Sequence, residues 1–439
     1  GVAFDLPKAH EHVKTLTTMG EDLYASIRPY LVLEVNCPYK TPVNKPFLKN
    51  GDYHNSVCAW YDEQERELVS GPFSRVEFEE PDLGSRQKLI KQLIRHGWKP
   101  TIFTEKGSPK LTEKGHPVDS LYKIEAPVGK AIAEWYTMRH RKSQIEGWIK
   151  TVRTDGRLTA GANSCGTNTY RMRHRGVVNV PKADPKVTFG KQMRELFIAR
   201  PGYKLLGYDA SGLEARCMAH YTHKFDGGGF ADLVLNGDVH AKNARIFFEG
   251  ETSSLDVDSP EFKSYRSRSK NGFYGLLYGA QPKKLSSTLD VSLSTAKYLF
   301  DRFWEENKAL GEVRNLVMKM HDQRGWVPGI DGRKIYTRSS HSALNALFQS
   351  CGAILMKRAM VMLRDFALEE QIHHYKVYDM HDEGGHEILE DECYEENDRV
   401  VHRLGFLAED AMKAAGEYYN IRVPITGEFL IGNNWAEVH

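Results

Sequence analysis

Two acidic residues far apart in the sequence each lie at the end of a predicted β-strand. The first strand candidate, KLLGYDA (204–210), is apolar, contains Asp209 and is followed by two more small residues. The second acid, Asp382, lies in a polar turn between two short strand candidates within KVYDMHDEGGHEIL. Small residues let a ligand approach the backbone closely. Because the two carboxylates lie far apart in the sequence, they can meet in space only if distant segments fold together around one site.

Such a pair of carboxylates suits Mg²⁺, which prefers carboxylate and phosphate oxygens. Two metal ions roughly 3.5–4 Å apart stabilise the attacking and leaving oxygens of an in-line phosphoryl displacement. A single acid at a strand end is more often a cap or a solvated turn, so this interpretation depends on what else the chain supplies.

A second feature is a stripe of residues at every fourth position: Arg266, Lys270, Tyr274 and Tyr278. Four residues advance a helix by about 400°, so these side chains share one face. Cations bind phosphate oxygens, and an aromatic ring one turn further on can stack on a nucleobase. The order from cations to aromatics favours a triphosphate-binding helix over a merely solvated face.

Two glycines interrupt this helix. Gly272 and Gly275 each weaken it by roughly 1 kcal/mol relative to alanine. The helix is therefore expected either to move when substrate binds or to pack closely against a neighbour at these positions.

Composition restricts the class of protein. The chain has 439 residues, which predicts two or three lobes. Its net charge of +2 gives no support for nucleic-acid binding as a whole, so local clusters must carry it. The six cysteines are scattered and predict packed thiols rather than a zinc site. No unbroken apolar run approaches the roughly 18 residues of a membrane span and no signal peptide begins the chain, so we expect a cytoplasmic protein without membrane contact.

Hydrophobic periodicity predicts the main elements. Helices are expected over 1–27 and about 128–149, and between Ser85 as cap and Gly97, with Leu89, Ile90, Leu93 and Ile94 on one face. The proline-rich stretch 28–84 predicts an irregular or β-containing insert, and 97–120 is rich in turns. A helix should follow Asp209, and 238–362 should be mostly helical.

These features resemble DNA polymerases of family A, and most closely the short-tailed-phage replicative enzymes. DASGLEARCMAHY (209–221) resembles motif A of that family, RSRSKNGFYGLLYGAQ (266–281) resembles motif B, and YDMHDE (378–383) resembles motif C. They occur in the family's order and at similar spacing. Further similarity lies in LNGDVHAKNARIF, in DGRKIYTRSSHSALNALFQSCGA, in TYRMRH with VVNVP, in GWKPTIFTEKGSP of the thumb and in the terminal GNNWAEVH. The resemblance extends from about residue 85 onward.

The resemblance implies a role for each matching residue. The metal-binding group would be Asp209 and Asp382, with the Ala210 carbonyl and Glu383 nearby. Two Mg²⁺ ions are expected there, with Mn²⁺ as a substitute. The catalytic residues would be Asp209, Asp382 and Lys270. The incoming dNTP would be bound by Arg266, Lys270, Tyr274, His240, Glu214, Ser211 and Gly212, with Glu214 crowding the ribose 2′ position. Primer-template DNA would be contacted by Arg171, Gln349, Asn345, His341, Tyr278 and His381, of which Arg171 and Gln349 would probe the minor groove at the primer end.

Some positions depart from the family pattern. The family's T-G-R segment is T-Y-R here, with Tyr170 before Arg171. Gly384 and Gly385 replace an apolar pair after motif C and could loosen the hairpin that carries Asp382. Asp379 adds an acid near the site, and no role is predicted for it.

The expected fold class is α/β (α+β): a right-hand polymerase fold with a mixed palm sheet, helical fingers and a helical thumb. The predicted boundaries are a thumb over 1–145 with the insert 28–84, palm over 146–222 and 353–439, and fingers over 223–352. No acidic DxE strand precedes the thumb, so we expect no proofreading exonuclease in this chain; a separate exonuclease is a possible partner. The insert lies where a related phage enzyme recruits a processivity factor, although a variable thumb tip is the favoured interpretation.

The predicted reaction is attack of a primer 3′-hydroxyl on the α-phosphorus of a dNTP, with release of pyrophosphate. Three alternatives stay open: a single-subunit RNA polymerase, a catalytically silent polymerase-like DNA-binding factor, and a metal-dependent nuclease that uses the His-Asp-Glu turn. In the family, tyrosine at the position of Tyr274 goes with acceptance of dideoxynucleotides.

Overall fold

The computed structural model describes residues 1–36, 42–104, 107–113, 116–124 and 128–438. The chain divides into two compact units. One comprises Gly1–Val13 and Ser143–His439, and the other comprises Lys14–Lys142. The second unit is close to the thumb range predicted from sequence. Residues 1–13 differ, because the strand Val2–Phe4 pairs with Arg157–Leu158 and Phe197–Ile198 in the first unit. The helix predicted over 1–27 is therefore wrong at its start and begins only at Leu6.

A four-stranded sheet forms the centre of the first unit. Its spatial order is His374–Met380, Glu383–Leu389, Tyr203–Ala210 and Gly427–Gly432. All neighbours run antiparallel, so the sheet itself is not mixed as predicted. The strand Tyr203–Ala210, here called the motif A strand, is an interior strand, which explains its apolar sequence. The strands His374–Met380 and Glu383–Leu389 form the motif C hairpin.

Alternation along the motif A strand assigns its two faces. Leu206, Tyr208 and Ala210 face a core shared with two helices, Ala343–Glu369 and Arg403–Tyr418. On the other face Gly207 lies so close to the Val438 carbonyl that a Cβ would come within 2.6 Å of it. Asp209 projects from this second face and is only partly buried, next to the end of the strand.

The helix Ala343–Glu369, here called the long helix, joins two cores. Phe348 belongs to the core of the helical region and Cys351 to the core of the sheet. A window of this helix is long and apolar enough to cross a membrane by composition, but 61% of that window is buried inside the protein. Burial between two cores accounts for its apolar sequence.

The predicted fingers region, 223–352, is mostly helical, as expected. The motif B helix is Pro260–Leu277, begun by a Ser259 side chain that accepts from the Phe262 N–H. A two-stranded hairpin, Trp326–Pro328 with Lys334–Tyr336, interrupts the helices and is here called the fingers hairpin. The other helices are Leu213–Asp226, Gly229–Asn236, Val239–Phe247, Glu249–Thr252, Pro282–Leu289, Leu293–Glu306 and Lys308–Arg324.

Smaller elements complete this unit. The strands Ala160–Asn163 and Arg173–Gly176 form a hairpin, as do Tyr394–Glu396 and Arg399–Val401. Short helical segments are Gly190–Arg194, Ser340–Ser342 and Glu390–Glu392.

In the second unit the helix predicted after Ser85 forms over Arg86–Arg95. Ser85 holds the N-cap position but makes no side-chain capping bond, and Ile94 is 50% exposed rather than buried. Gln92 is fully buried instead, because its amide bonds both the N–H and the carbonyl of Val32. A side-chain amide whose hydrogen bonds are all made can be buried in a core position. The apolar pattern instead predicts Ile94 to be buried.

The insert 28–84 contains β-structure, as predicted, in the strand pair Glu34–Asn36 and Glu77–Glu79. Two short helices were not predicted, Asn55–Trp60 and Glu63–Arg66. The unit also contains the turn Arg28–Tyr30, the strands Thr112–Glu113 and His116–Pro117, and the turn Asp119–Leu121. The helices Leu6–Ile27 and Val128–Ile149 cross the boundaries of the two units, and residues 37–41 lie outside the described part.

Candidate active site

The antiparallel register brings the two predicted acids together. Asp209 near the end of the motif A strand pairs with Glu383 at the start of the next strand. The N–H of Ala210 donates to the carbonyl of Asp382 at 3.2 Å. His381 adopts a left-handed φ of 59° in the turn of the motif C hairpin, which places Asp382 at the strand end.

The site concentrates negative charge. The pKa of Asp209 is raised to about 7 by burial, and then by the charges of Asp382, Glu383 and Glu428. Glu428 lies directly opposite Asp209 on the neighbouring strand Gly427–Gly432. Side chains of directly paired residues share one face of a sheet. Because several carboxylates repel one another here, a cation is the natural complement of the site.

Glu383 is held differently from the other acids. It is only 6% exposed, and its Oε1 accepts from the Tyr378 hydroxyl at 3.0 Å and from the Trp435 indole N–H at 2.6 Å. These bonds make Glu383 an anchor for the C-terminal segment, whatever its relation to a metal ion.

The residues present fit Mg²⁺. Within the described ranges, no group of three or more His, Cys, Asp and Glu side chains is arranged to hold a metal ion by itself. Asp209 and Asp382 thus offer an incomplete set of hard oxygen ligands. That donor set suits an ion that keeps several waters and takes its remaining ligands from substrate phosphates.

A cavity of about 80 Å³ adjoins Asp382. Four residues predicted from the motifs line it together with this acid: Arg171, Glu214, Gln349 and His381. Burial raises the pKa of the Glu214 carboxyl, and the Arg171 charge opposes that shift. Residues that lie far apart in sequence, from 171 to 382, therefore converge on one small space.

The motif B helix is fastened to the helix Val239–Phe247. Asp238 caps that helix and also pairs with Arg266, whose Nε lies 2.6 Å from Oδ2. The Ser269 hydroxyl donates to the His240 carbonyl at 2.9 Å. Burial, followed by the charges of Lys270 and Arg266, lowers the pKa of His240 to about 4. Arg266 and Lys270 thus place two cations beside a His240 ring whose low pKa keeps it neutral near pH 7.

The aromatic end of the stripe reaches the cavity residues. The Tyr274 ring lies 5.7 Å from the His240 ring and 6.1 Å from the Tyr278 ring. Burial, and then Glu214, raises the pKa of Tyr274 to about 12. Burial, and then the Glu214 charge, raises the pKa of Tyr278, while Arg171 and the Gln349 side chain oppose that shift. The cations predicted to bind phosphate, Arg266 and Lys270, and the cavity are therefore parts of one continuous site.

Of the two glycines in the motif B helix, only one is required by close packing. A Cβ at Gly272 would lie 2.8 Å from a Leu289 methyl and 3.2 Å from the Phe247 ring, so this glycine permits close packing. At Gly275 the nearest atom is an Ala280 Cβ at 3.8 Å, which leaves room for a side chain.

Four predicted residues lie at the margin of the site. Gly212, with φ 58°, begins the helix Leu213–Asp226, and the Ser211 N–H donates to the Thr426 carbonyl. The His341 carbonyl lies against Gly279 at the end of motif B, while Asn345 keeps a buried Oδ1 without a partner in the described part. His341 and Asn345 do not line the cavity.

The two glycines after motif C are explained by neighbouring rings. A Cβ at Gly384 would lie 2.3 Å from the Tyr208 hydroxyl, and one at Gly385 would lie 2.2 Å from the Tyr378 ring. Both tyrosines are buried. The rings fill the volume that apolar side chains would occupy, so the expectation of a loosened hairpin finds no support.

We expect Gly385→Ala to lower the free energy of unfolding by about 2–3 kcal/mol, because the new methyl group overlaps a fully packed ring. Chemical denaturation measures this. Gly147→Ala is the control, since that exposed helical position has nothing within 4 Å and alanine there should stabilise by up to about 1 kcal/mol. Equal stability of Gly385→Ala and wild type would contradict the packing described.

Several residues of the site were not predicted. Glu428 is one, because no pattern in sequence reveals which residue pairs with Asp209. His174 is another: its ring lies 4.7 Å from the His381 ring. Asp379 itself pairs with Lys376 at 2.7 Å, which gives this acid a structural role.

The fold defines a class of protein. The whole chain superposes on the polymerase domain of Pol1 from M. smegmatis, solved in complex with DNA primer-template and dNTP, with a TM-score of 0.74 and 20% identity. The match covers 100% of this chain and 68% of that one. The chain thus has the right-hand polymerase fold.

The sequence relatives narrow the class to a family. The profile of DNA polymerase family A matches residues 60–437. The DNA-directed DNA polymerases of Enterobacteria phage T3 and Escherichia phage T7 are each 30% identical over 414 residues, which is 85% of this chain and 55% of theirs. DNA polymerase I of Thermus aquaticus is 27% identical over 375 residues, which is 81% of this chain and 42% of that protein. The chain belongs to DNA polymerase family A and spans about half the length of these phage relatives.

Proposed function

We propose that this chain is the polymerase part of a template-directed DNA polymerase. It would add dNTPs to a primer 3′-hydroxyl and release pyrophosphate. The observation that supports this most directly is the convergence of Asp209 and Asp382 beside a cavity lined by Arg171, Glu214 and Gln349. Positioning and charge stabilisation supply most of the catalysis in phosphoryl transfer.

The predicted nucleotide-binding cations differ in whether they already have a partner within the protein. Arg266 already pairs with Asp238, whereas the exposed ammonium of Lys270 has no hydrogen-bond or ion-pair partner among the described residues. We assign Lys270 to the triphosphate of the incoming nucleotide. Glu214 lines the cavity, and we assign the bulk of its side chain to crowding a ribose 2′-hydroxyl there.

Asp209 and Asp382, with the Ala210 carbonyl nearby, would hold the Mg²⁺ ions. Bound there, Mg²⁺ would supply charge stabilisation for the reacting phosphate oxygens. Mn²⁺ accepts the same oxygen ligands and is expected to substitute.

Tyr274 predicts ready chain termination by dideoxynucleotides. Its phenol, half-buried beside Glu214, can supply a hydrogen-bonding group where a dideoxy sugar has none. Tyr274→Phe should therefore lower ddNTP incorporation relative to dNTP incorporation by about fivefold, the effect of one hydrogen bond. Competition between a ddNTP and its dNTP measures the ratio, and strong discrimination by the wild type would show that Tyr274 does not lie at the sugar.

Primer extension with the four dNTPs or the four rNTPs tests the function itself. Template-dependent extension with dNTPs alone supports the proposal. Extension with rNTPs would favour the RNA polymerase alternative, and degradation of the primer without nucleotides would favour the nuclease.

The insert 28–84 exposes large apolar side chains, among them Leu68 at 82% and Phe78 at 69%. Exposed apolar groups suit contact with another protein, so a processivity partner that binds this segment is kept as the alternative to the favoured thumb-tip interpretation. Product length per binding event, measured with trap DNA before and after adding host-cell proteins, tests this. An unchanged length would favour the thumb-tip interpretation.

A further inference from the structure

The loop that carries Arg171 is fastened to the fingers hairpin by two side chains. This loop joins the strands Ala160–Asn163 and Arg173–Gly176. The Asn168 amide donates to the Tyr336 carbonyl at 2.9 Å, and the Tyr170 hydroxyl donates to the Lys334 carbonyl at 2.8 Å. Both acceptors are backbone carbonyls of one strand. The position of the loop relative to the hairpin therefore does not depend on the hairpin's side chains.

A third attachment comes from the long helix. The Lys357 ammonium donates to the carbonyls of Ser164 and Tyr170. Within the loop, the Thr167 hydroxyl donates to the Arg171 carbonyl at 3.1 Å. The carbonyls of Tyr170 and Arg171 are thus both held, the first by the Lys357 ammonium and the second by the Thr167 hydroxyl. The bond from Lys357 is charge-assisted and is therefore the stronger of the two.

Tyr170 occupies a backbone conformation that favours glycine. Its φ is 60°, in the left-handed region that L side chains rarely adopt. Glycine holds this position in the family segment that T-Y-R resembles. Here the strain is offset by the side chain, which bonds Lys334, packs against the fingers core and lies 5.2 Å from the Arg333 guanidinium.

We infer that Tyr170 is a positioning residue that sets how strictly Arg171 discriminates between matched and mismatched primer ends. By attaching the loop to the fingers hairpin, Tyr170 holds Arg171 at a fixed place in the cavity beside Glu214 and Asp382. A donor held rigidly loses its bond when a mispair displaces the acceptor, whereas a mobile donor follows the displaced group. This inference rests on the proposed polymerase function.

The test compares Tyr170→Phe, which removes only the hydroxyl, with Tyr170→Gly, which removes the side chain but suits the backbone. For each variant, kcat and KM are measured on matched and mismatched primer ends. Discrimination should fall by about fivefold in Tyr170→Phe, the effect of one hydrogen bond, and further in Tyr170→Gly. Tyr336→Phe is the matched control, because it removes an exposed hydroxyl from the same hairpin and leaves in place the Tyr336 carbonyl that Asn168 binds.

A double-mutant cycle separates positioning from general structure. In an Arg171→Ala background, Tyr170→Phe should have no further effect on discrimination, because both changes act through the same arginine. Amide hydrogen exchange over residues 164–172 should become faster in both Tyr170 variants, independently of activity.

Wild-type extension is measured first. If the wild type extends no primer, the proposed function fails and this inference fails with it. If the wild type extends primers but both Tyr170 variants keep full discrimination, or if the effect persists undiminished without Arg171, the inference alone is overturned.

Discussion

Asp209→Asn is expected to reduce nucleotide addition about a thousandfold, which corresponds to roughly 4 kcal/mol of lost transition-state stabilisation. The substitution keeps the shape of the side chain and removes one of the two charges that would hold Mg²⁺. Single-nucleotide incorporation under saturating dNTP measures the loss. Asp391→Asn, in the exposed turn Glu390–Glu392, is the control and should retain full activity.

The same substitution is expected to stabilise the metal-free protein. The folded-state pKa of Asp209 is about 7 against an ordinary value of 3.8, so the folded protein holds a proton that the unfolded chain has lost between those values. Wild-type stability therefore declines as the pH rises through that window. After a discount for partial solvent exposure, Asp209→Asn should gain roughly 1–2 kcal/mol above pH 7 and nothing near pH 4.

Denaturation in EDTA at pH 8 and at pH 4 measures this gain. Added Mg²⁺ should narrow the difference, because it stabilises the wild type and not the variant. A variant that is less stable than wild type at pH 8 without metal would contradict the electrostatic account of the site.

Lys270→Ala is expected to lower kcat/KM for dNTP by a factor of about 100 to 1,000. The loss of one preorganised cation at the reacting phosphates removes roughly 3–4 kcal/mol of stabilisation. Affinity for primer-template should be unchanged, because Lys270 is assigned to the nucleotide. Lys270→Arg should recover part of the rate, since it keeps the charge but changes the reach.

Lys263→Ala controls for charge on the same helix. Lys263 lies one turn from the start of the motif B helix, and its exposed ammonium lies 3.9 Å from the Asp258 carboxylate. A Lys270→Ala enzyme as active as Lys263→Ala would remove the triphosphate assignment of the stripe.

Local sequence patterns predicted the parts of the site that each element carries by itself. The i+4 stripe from Arg266 to Tyr274 lies on one continuous helix, with Tyr278 as the residue that ends it, so helical geometry fixes the stripe. The apolar run that contains Asp209 is an interior strand, and a buried interior strand requires such a run. The family resemblance brought in Arg171, Glu214 and His240, whose spacing alone predicts nothing.

Features that depend on register or on long-range packing could not be predicted. Glu428 faces Asp209 only because two strands more than two hundred residues apart pair at one particular offset. Gln92 is buried because its amide finds a backbone partner at Val32. Gly384 and Gly385 are compatible with a firm hairpin because Tyr208 and Tyr378 supply the missing volume. In each case the determining neighbour is distant in sequence.

The most direct test of the proposed function is extension of a labelled primer on a DNA template with Mg²⁺, by the wild type and by Asp382→Ala, alongside a measurement of primer-template binding. We predict templated extension with dNTPs but not rNTPs, lost in Asp382→Ala while binding persists. Binding without extension by the wild type would contradict the account and favour a silent DNA-binding factor, and undiminished extension by Asp382→Ala would place the active site elsewhere.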